Sequence, residues 1–494
     1  MTNQQSEYRS IFKATSIFGG VQVFQIIIGI VRSKFIAVLL GPMGMGIAGL
    51  LTTTTGFVAA LTNFGLSTSA VKDIAAAHGS GNTTRLSIIA TVFRRWVWIT
   101  GLLGVVLTAG LSPWLSQITF GNRDYTWAFI WISITLLLNQ ISVGQGVLLR
   151  GMRQVRYMAQ SGMIGSVIGL ITTIPLYYLF GLNGIVPAIV ISAVASLLLT
   201  WYYANKLDIK PIYVSKARTL AEGKGMMKMG FMISLSGIIT LGASYIVRIF
   251  ISNTGGLEQV GLFSAGFAIV NTYVGMIFNA MGADYYPRLS AVAHSNDESR
   301  NVINQQAEIA ILILAPVIMV FLVFINYVVI VLYSAKFIPV SEMILYAAIG
   351  MLFRAASWSI AFIFLAKGAS KLFFWNELFT NIYLLALNIA GYYLWGLTGL
   401  GISFLAAYIL YLIQVYIVAR IKYQFSFTPA FYKIFSLQLI LAIVCLVIVL
   451  FIGSPYSYIA GTLIIFVSGY FAFIGLDKRM DVKSIIVSLK SRIK

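Results

Sequence analysis

Long apolar runs broken by short polar stretches occupy nearly the whole chain. A helix needs roughly 20 predominantly apolar residues to cross a bilayer core, and that window predicts fourteen spans. The first seven fall at about 14–40, 44–66, 86–111, 125–149, 157–180, 184–204 and 229–252. The second seven fall at about 260–283, 307–333, 341–366, 372–395, 398–419, 432–452 and 457–476. Run length carries this reading more than periodicity does, because helices buried in a bundle or in lipid are apolar all round. The pattern predicts an all-α polytopic membrane protein.

Composition agrees. Of 494 residues, 59% are hydrophobic and only 10% charged, with a mean hydropathy of +0.90, far from a soluble domain. Lys and Arg number 34 against 14 Asp and Glu, a net +20. On so apolar a chain this points to loops facing an anionic cytoplasmic leaflet, or to an anionic substrate, and away from nucleic acid. With both termini cytoplasmic, 26 of the 34 cations fall in cytoplasmic segments and two, Arg123 and Lys336, on the other side. The polar start, Met1 to Ser10, carries no cleavage signal, so the first span reads as a retained helix. The single cysteine, Cys445, lies inside an apolar run and excludes both a disulfide framework and a cysteine metal site.

Shifting the chain against itself by about 216 residues exposes a duplication. Ile30-Val31-Arg32 recurs as Ile246-Val247-Arg248, and Leu149-Arg150-Gly151 as Ala366-Lys367-Gly368. The run from Tyr177 to Gly184 recurs from Tyr392 to Gly399. An even number of spans separates equivalent positions, so the repeats run parallel, related by a pseudo-two-fold axis along the membrane normal. The predicted organisation is an N-terminal six-helix lobe, 1–205, a basic cytoplasmic linker, 206–228, and a C-terminal six-helix lobe, 229–420. Residues 421–494 add two further spans and a basic cytoplasmic tail. The two lobes enclose a central cavity.

Arginine at the bilayer centre costs about 2.5–3.5 kcal/mol on the translocon scale, so Arg32, Arg94, Arg95, Arg248 and Arg354 must face water, a partner or a ligand. Gln22, Gln25, Gly29 and Arg32 follow 3, 4 and 3 spacings and form one polar stripe. Ser234, Gly237, Leu241, Ser244 and Arg248 repeat the arrangement in the seventh span. Arg354 lies near the middle of the tenth, with Ser357 and Trp358 on the next turn. The alternative is an arginine that snorkels or pairs with a carboxylate. Of the acids in or at the ends of spans, Asp284, Glu308 and Glu377 are the candidate partners, too few to neutralise five arginines. Lys34, on another face from Arg32, reads as snorkelling. Several uncompensated guanidinium groups suit an anion, and a diphosphate accepts bidentate bonds from Arg better than from Lys.

Glu377, with Asn376 and Asn381, is a candidate site for a coupling proton or cation, the competing reading being a pair with Lys371. Gly44, Gly46 and Gly49 fit G-x-G-x-x-G without a preceding strand, so close helix packing explains them. There is no Walker A sequence, catalytic nucleophile or metal cluster, and no cofactor is predicted. The chain does not read as an enzyme.

The stretch from Arg32 through Gly41-Pro42-Met43-Gly44-Met45-Gly46-Ile47, and the run Tyr285-Tyr286-Pro287-Arg288-Leu289, resemble the Wzx-type polysaccharide flippases. These belong to the multidrug/oligosaccharidyl-lipid/polysaccharide exporter superfamily, and the O-antigen and enterobacterial common antigen branch is the most similar in appearance. The resemblance covers the twelve helices of the two lobes. It implies transfer of an undecaprenyl-diphosphate-linked oligosaccharide across the bacterial inner membrane by alternating access, with cavity arginines holding diphosphate or acidic sugars. That role maps onto Arg32 and, through the repeat, onto Arg248; Arg354 joins them by depth. It also implies a polysaccharide polymerase and a chain-length regulator as partners. Many relatives have twelve helices, whereas the related lipid II flippases resemble a fourteen-helix plan whose last pair forms a groove for the lipid tail. A lipid II flippase is the first rival reading. A cation-coupled multidrug exporter would favour acids in the N-terminal lobe, which has none within a span. A membrane-embedded glycosyltransferase or polymerase would need a catalytic carboxylate or metal motif.

Overall fold

The computed structural model describes residues 3–210 and 212–480, the side chains of 3–19, 273, 283 and 480 excepted. Of the predicted cytoplasmic charges, Arg9 and Lys13 have side chains outside those described, and Lys483, Lys490, Arg492 and Lys494 lie outside the described residues. Among the described residues the chain is helical throughout, with no strand. The helices are α1 (Asn3–Thr62), α2 (Leu66–Gly79), α3 (Thr83–Gly110), α4 (Ser112–Phe120), α5 (Thr126–Gly151), α6 (Val155–Phe180) and α7 (Ile185–Ala204). They continue as α8 (Lys216–Ala268), α9 (Met276–Ala291), α10 (Asn296–Leu332), α11 (Ser341–Ala366), α12 (Ser370–Tyr423), α13 (Pro429–Phe451) and α14 (Tyr456–Met480).

These segments are not the fourteen spans one for one, since α2 and α4 are too short to cross a bilayer. Among the described residues, ten stretches are long and apolar enough to cross. Four of them, at 43, 50, 76 and 54 residues, are at least twice the length one crossing needs. Each of the four is interrupted by a glycine at positive φ, Gly41, Gly181, Gly256 and Gly396 respectively. These breaks fall in the gaps that the apolar runs leave near 40–44, 180–184, 252–260 and 395–398. The protein is thus an all-α polytopic membrane protein.

Helix starts follow local chemistry. Asn82 caps α3 by accepting from the Arg85 N–H at 2.8 Å, and the Ser295 hydroxyl accepts from the Glu298 N–H at 3.3 Å to open α10, as capping predicts. Thr428 caps α13 with Pro429 in the first turn, where its missing N–H costs nothing.

Backbone conformation repeats along the chain at one interval. Gly41 and Gly256, Gly181 and Gly396, and Arg153 and Gly368 are each 215 positions apart and all have positive φ. The Gly41 and Gly256 pair match in both angles (φ 68, ψ −170 and φ 83, ψ 176). So do Gly181 and Gly396 (φ 55, ψ −132 and φ 57, ψ −137). The turn after α5 is reproduced after α11 bond for bond. Gln154 N–H reaches the Leu149 carbonyl as Ala369 N–H reaches that of Phe364, and Arg153 N–H reaches Arg150 as Gly368 N–H reaches Leu365.

Spatially the chain forms two compact units, residues 1–261 and 262–494. In the first, Leu66, Ala70 and Ile74 of α2 pack against Ile89 and Phe93 of α3 and Val147 and Leu148 of α5. In the second, α10 and α11 are the buried centre, their facing Ile311, Leu314, Ile318, Met351, Leu352 and Ala355 almost fully excluded from the surface. Around them lie α12, α13 and α14.

Candidate functional site

The polar stripe of α1 lines a cavity of about 620 Å³ within the first unit. Gln22, Gln25, Gly29 and Arg32 form one side; α5 contributes Ser142, Gly146 and Arg150, α6 Gly162, Gly165 and Gly169, and α7 Ser192, Ser196 and Thr200. The glycines of α6 give the stripe its room. A Cβ on Gly162 would lie 2.4 Å from Gln25 Nε2, and one on Gly169 4.0 Å from Arg32 Nη1. Arg32 is half-buried, and its guanidinium lies near the Tyr177 hydroxyl. Its Nε, like the Ser192 hydroxyl across the cavity, is buried without a hydrogen-bond partner. Among the described residues no carboxylate lies within ion-pair distance of Arg32, Arg94, Arg95 or Arg354. A half-buried guanidinium with an unpaired N–H, in a cavity of ligand-binding size, has the chemistry to hold an anion.

The other predicted arginines of this unit are placed differently. Arg248 turns back along α8 and donates to the Ser244 hydroxyl and, at 3.3 Å, to the Ser244 carbonyl. Arg94 has a buried Nε without a partner, but it does not line the cavity. Arg95 ties α3 to the chain entering α8, donating to the Val214 carbonyl at 2.7 Å and the Thr219 hydroxyl at 2.8 Å. Trp96 adds a bond from Nε1 to the Thr219 carbonyl at 3.0 Å. Of the candidates in this unit, the structure therefore brings together Gln25 and Arg32. It adds Arg150, which hydropathy assigns to a loop; the signal was its spacing of four from Gly146 and eight from Ser142, one face of α5.

In the second unit Arg354 donates to the Asn271 carboxamide oxygen at 2.5 Å. Its guanidinium carbon lies 5.5 Å from the Phe278 ring centre and 5.4 Å from that of Tyr408, within cation–π range. Of the acids near spans, Asp284 pairs with Arg288 at 2.9 Å and Glu308 with Arg479 at 2.6 Å. Glu377 makes no ion pair with Lys371 or any other cation among the described residues. It accepts from the Tyr411 hydroxyl at 3.1 Å, beside Asn376, whose carboxamide oxygen accepts from Gln414 Nε2 at 2.7 Å. Asn381 closes the cluster by donating to the Glu377 carbonyl at 2.9 Å. Lys367, matched to Arg150 by sequence, is matched by the backbone of the turn to Met152 instead; it donates to the Ala293 carbonyl at 2.6 Å, and burial holds its ammonium below the usual lysine range.

The family described as polysaccharide biosynthesis protein matches residues 35–342. The lipid III flippase of Escherichia coli (strain K12) is 22% identical over 415 residues, covering 81% of this chain and 96% of the relative. Among solved structures, the lipid II flippase MurJ in an inward closed conformation superposes with a TM-score of 0.68 at 11% identity, covering 93% of this chain and 98% of that one. A multidrug resistance MATE family transporter of the MOP superfamily, inward-facing, gives 0.67 at 16% identity, covering 83% and 96%. The fold is the one these transporters share.

Proposed function

The chain belongs to the family of polysaccharide biosynthesis proteins, and from that premise we propose that it is a flippase for an undecaprenyl-diphosphate-linked oligosaccharide. It moves this unit from the cytoplasmic to the periplasmic leaflet of the bacterial inner membrane, by alternating access, for surface polysaccharide of the O-antigen type. The observation that carries this reading is Arg32, a half-buried guanidinium with no carboxylate partner among the described residues, lining a polar cavity inside a membrane-spanning bundle. A diphosphate satisfies it with short, charge-assisted bonds. The lipid III flippase relative supports the substrate class.

In this reading the moving parts are six-helix lobes at 1–205 and 229–420, joined by the basic linker 206–228. The backbone matches at an interval of 215 support a parallel duplication. The polar headgroup travels through the protein while the polyprenyl tail stays in lipid. An apolar groove of about 540 Å³ between Pro316, Val317 and Val320 of α10 and Phe466, Gly469 and Phe473 of α14 offers that tail a lodging. Glu377, hydrogen-bonded by a tyrosine but not neutralised by a cation among the described residues, is the group suited to couple transport to a proton or sodium gradient. Both termini are cytoplasmic, and a polymerase and a chain-length regulator consume the flipped product. The protein performs no bond chemistry.

The test is translocation of a lipid-linked oligosaccharide in proteoliposomes under an imposed proton or sodium gradient. A lost charge-assisted bond is worth about 1.5–3 kcal/mol, so Arg32→Ala, Arg248→Ala and Arg354→Ala are each expected to slow flipping roughly 10- to 100-fold while folding normally. Flipping at the wild-type rate by all three would make these arginines structural. A wild type that moves no lipid-linked glycan would overturn the function itself.

A further inference from the structure

Between α8 and α9, residues Ile269–Val274 form a π-helical turn. Such turns are rare and concentrate at functional sites, because the extra residue re-aims the side chains around it. Gly275 makes this one possible: a Cβ there would lie 1.9 Å from the Asn271 carbonyl oxygen.

The side chain the turn presents is Asn271. Its Oδ1 accepts the bond from Arg354 Nη1, while its Nδ2 is buried and bonded to nothing. A buried amide donor left unpaired is costly and calls for an explanation. Beyond Asn271, the Arg354 guanidinium donates, among the described residues, only to the Met351 sulfur, at 3.8 Å, and lies beside the Phe278 and Tyr408 rings. The set therefore consists of N–H donors without an acid, next to aromatic faces. That chemistry fits an anionic group carried by a saccharide, the oxygens on the donors and the sugar's C–H face on a ring.

We propose that Asn271 is the second half of the Arg354 site, its Nδ2 donating to the anionic group that Arg354 binds, with the π-helical turn serving to present it. This inference rests on the flippase reading above. The anionic group is a phosphate of the carrier or a carboxylate of the glycan. Asn271→Asp separates binding from mere positioning of Arg354. The aspartate has the same shape and keeps the acceptor for Arg354, but replaces the Nδ2 donor with a negatively charged oxygen that repels an anion.

The experiment uses the full chain in proteoliposomes with two probes, an undecaprenyl-diphosphate-linked neutral disaccharide and the same lipid bearing a hexuronate. Asn271→Asp is expected to raise KM at least tenfold with its melting temperature unchanged or higher, and Asn271→Ala to raise it less. A loss with both probes assigns the donor to the diphosphate, and a loss with the uronate probe alone assigns it to the sugar carboxylate. If Asn271→Asp flips both probes as the wild type does while Arg354→Ala does not, Asn271 only positions the arginine and the inference is wrong. If the wild type flips neither probe, the flippase reading fails and this inference with it.

Discussion

Gln25 and Arg32 are seven residues apart on α1, and the two glycines that admit them, Gly162 and Gly169, are seven apart on α6. Two turns of one helix are thus read against two turns of the other, each long polar side chain entering where the neighbour has no Cβ. The two glycines differ in what they tolerate. At Gly162 the obstructing atom is the far end of Gln25, a flexible side chain that can rotate away, so Gly162→Ala should cost little. At Gly169 there is room for a Cβ but not for branches beyond it, since Arg32 Nη1 begins at 4.0 Å. Gly169→Ala is expected to flip lipid-linked glycan normally. Gly169→Val should displace the guanidinium and match Arg32→Ala, a roughly 10- to 100-fold loss by the same charge-assisted bond. Comparing the two variants in the translocation assay checks the geometry of the cavity without touching any polar residue.

At the scale of elements, the last two helices are fastened to α10 by a buried ion pair. Glu308, with a side chain only 10% exposed, accepts from Arg479 of α14 at 2.6 Å and from the Thr428 hydroxyl at the start of α13 at 2.9 Å. One turn earlier on α10, Asn304 holds the same connection through the Ser426 carbonyl and the Thr428 N–H. Removing the cation leaves a buried carboxylate unneutralised, which costs more than the pair itself contributes. Because Arg479 is itself about a quarter exposed, the discounted loss for Arg479→Ala is about 1–3 kcal/mol. Glu308→Gln with Arg479→Ala should recover part of it, and thermal unfolding of the single and double variants checks both. The sequence placed Arg479 among tail charges because a count of cations per loop registers side and not partner. The same limit hid Arg95's bond to the linker and Arg150's place at the cavity. Spans were legible because roughly 20 apolar residues leave few alternatives in a bilayer. The short helices α2 and α4 and the π-helical turn were not, since each depends on packing or on one inserted residue rather than on a run of composition. The stripe ending at Arg32 was legible because helical spacing alone fixes a face; what opposes that face is set by tertiary packing.

At the scale of the whole molecule, the proposed duplication makes a quantitative demand. Gly41 and Gly256 occupy a backbone region closed to other residues, and so do Gly181 and Gly396. No atom lies within 4 Å of the Cβ that alanine would add at any of the four. The cost of Gly→Ala at these positions is therefore backbone strain, about 1–3 kcal/mol at each, uncontaminated by a clash. If the two halves descend from one six-helix unit and keep its mechanics, the members of each pair should lose stability equally, to within the few tenths of a kcal/mol by which local context shifts such values. Thermal unfolding of Gly41→Ala against Gly256→Ala, and of Gly181→Ala against Gly396→Ala, measures this. Equal losses within both pairs are expected. A loss confined to one member would mean that the shared angles bear load in only one half, and the two lobes could not then be treated as equivalent moving parts.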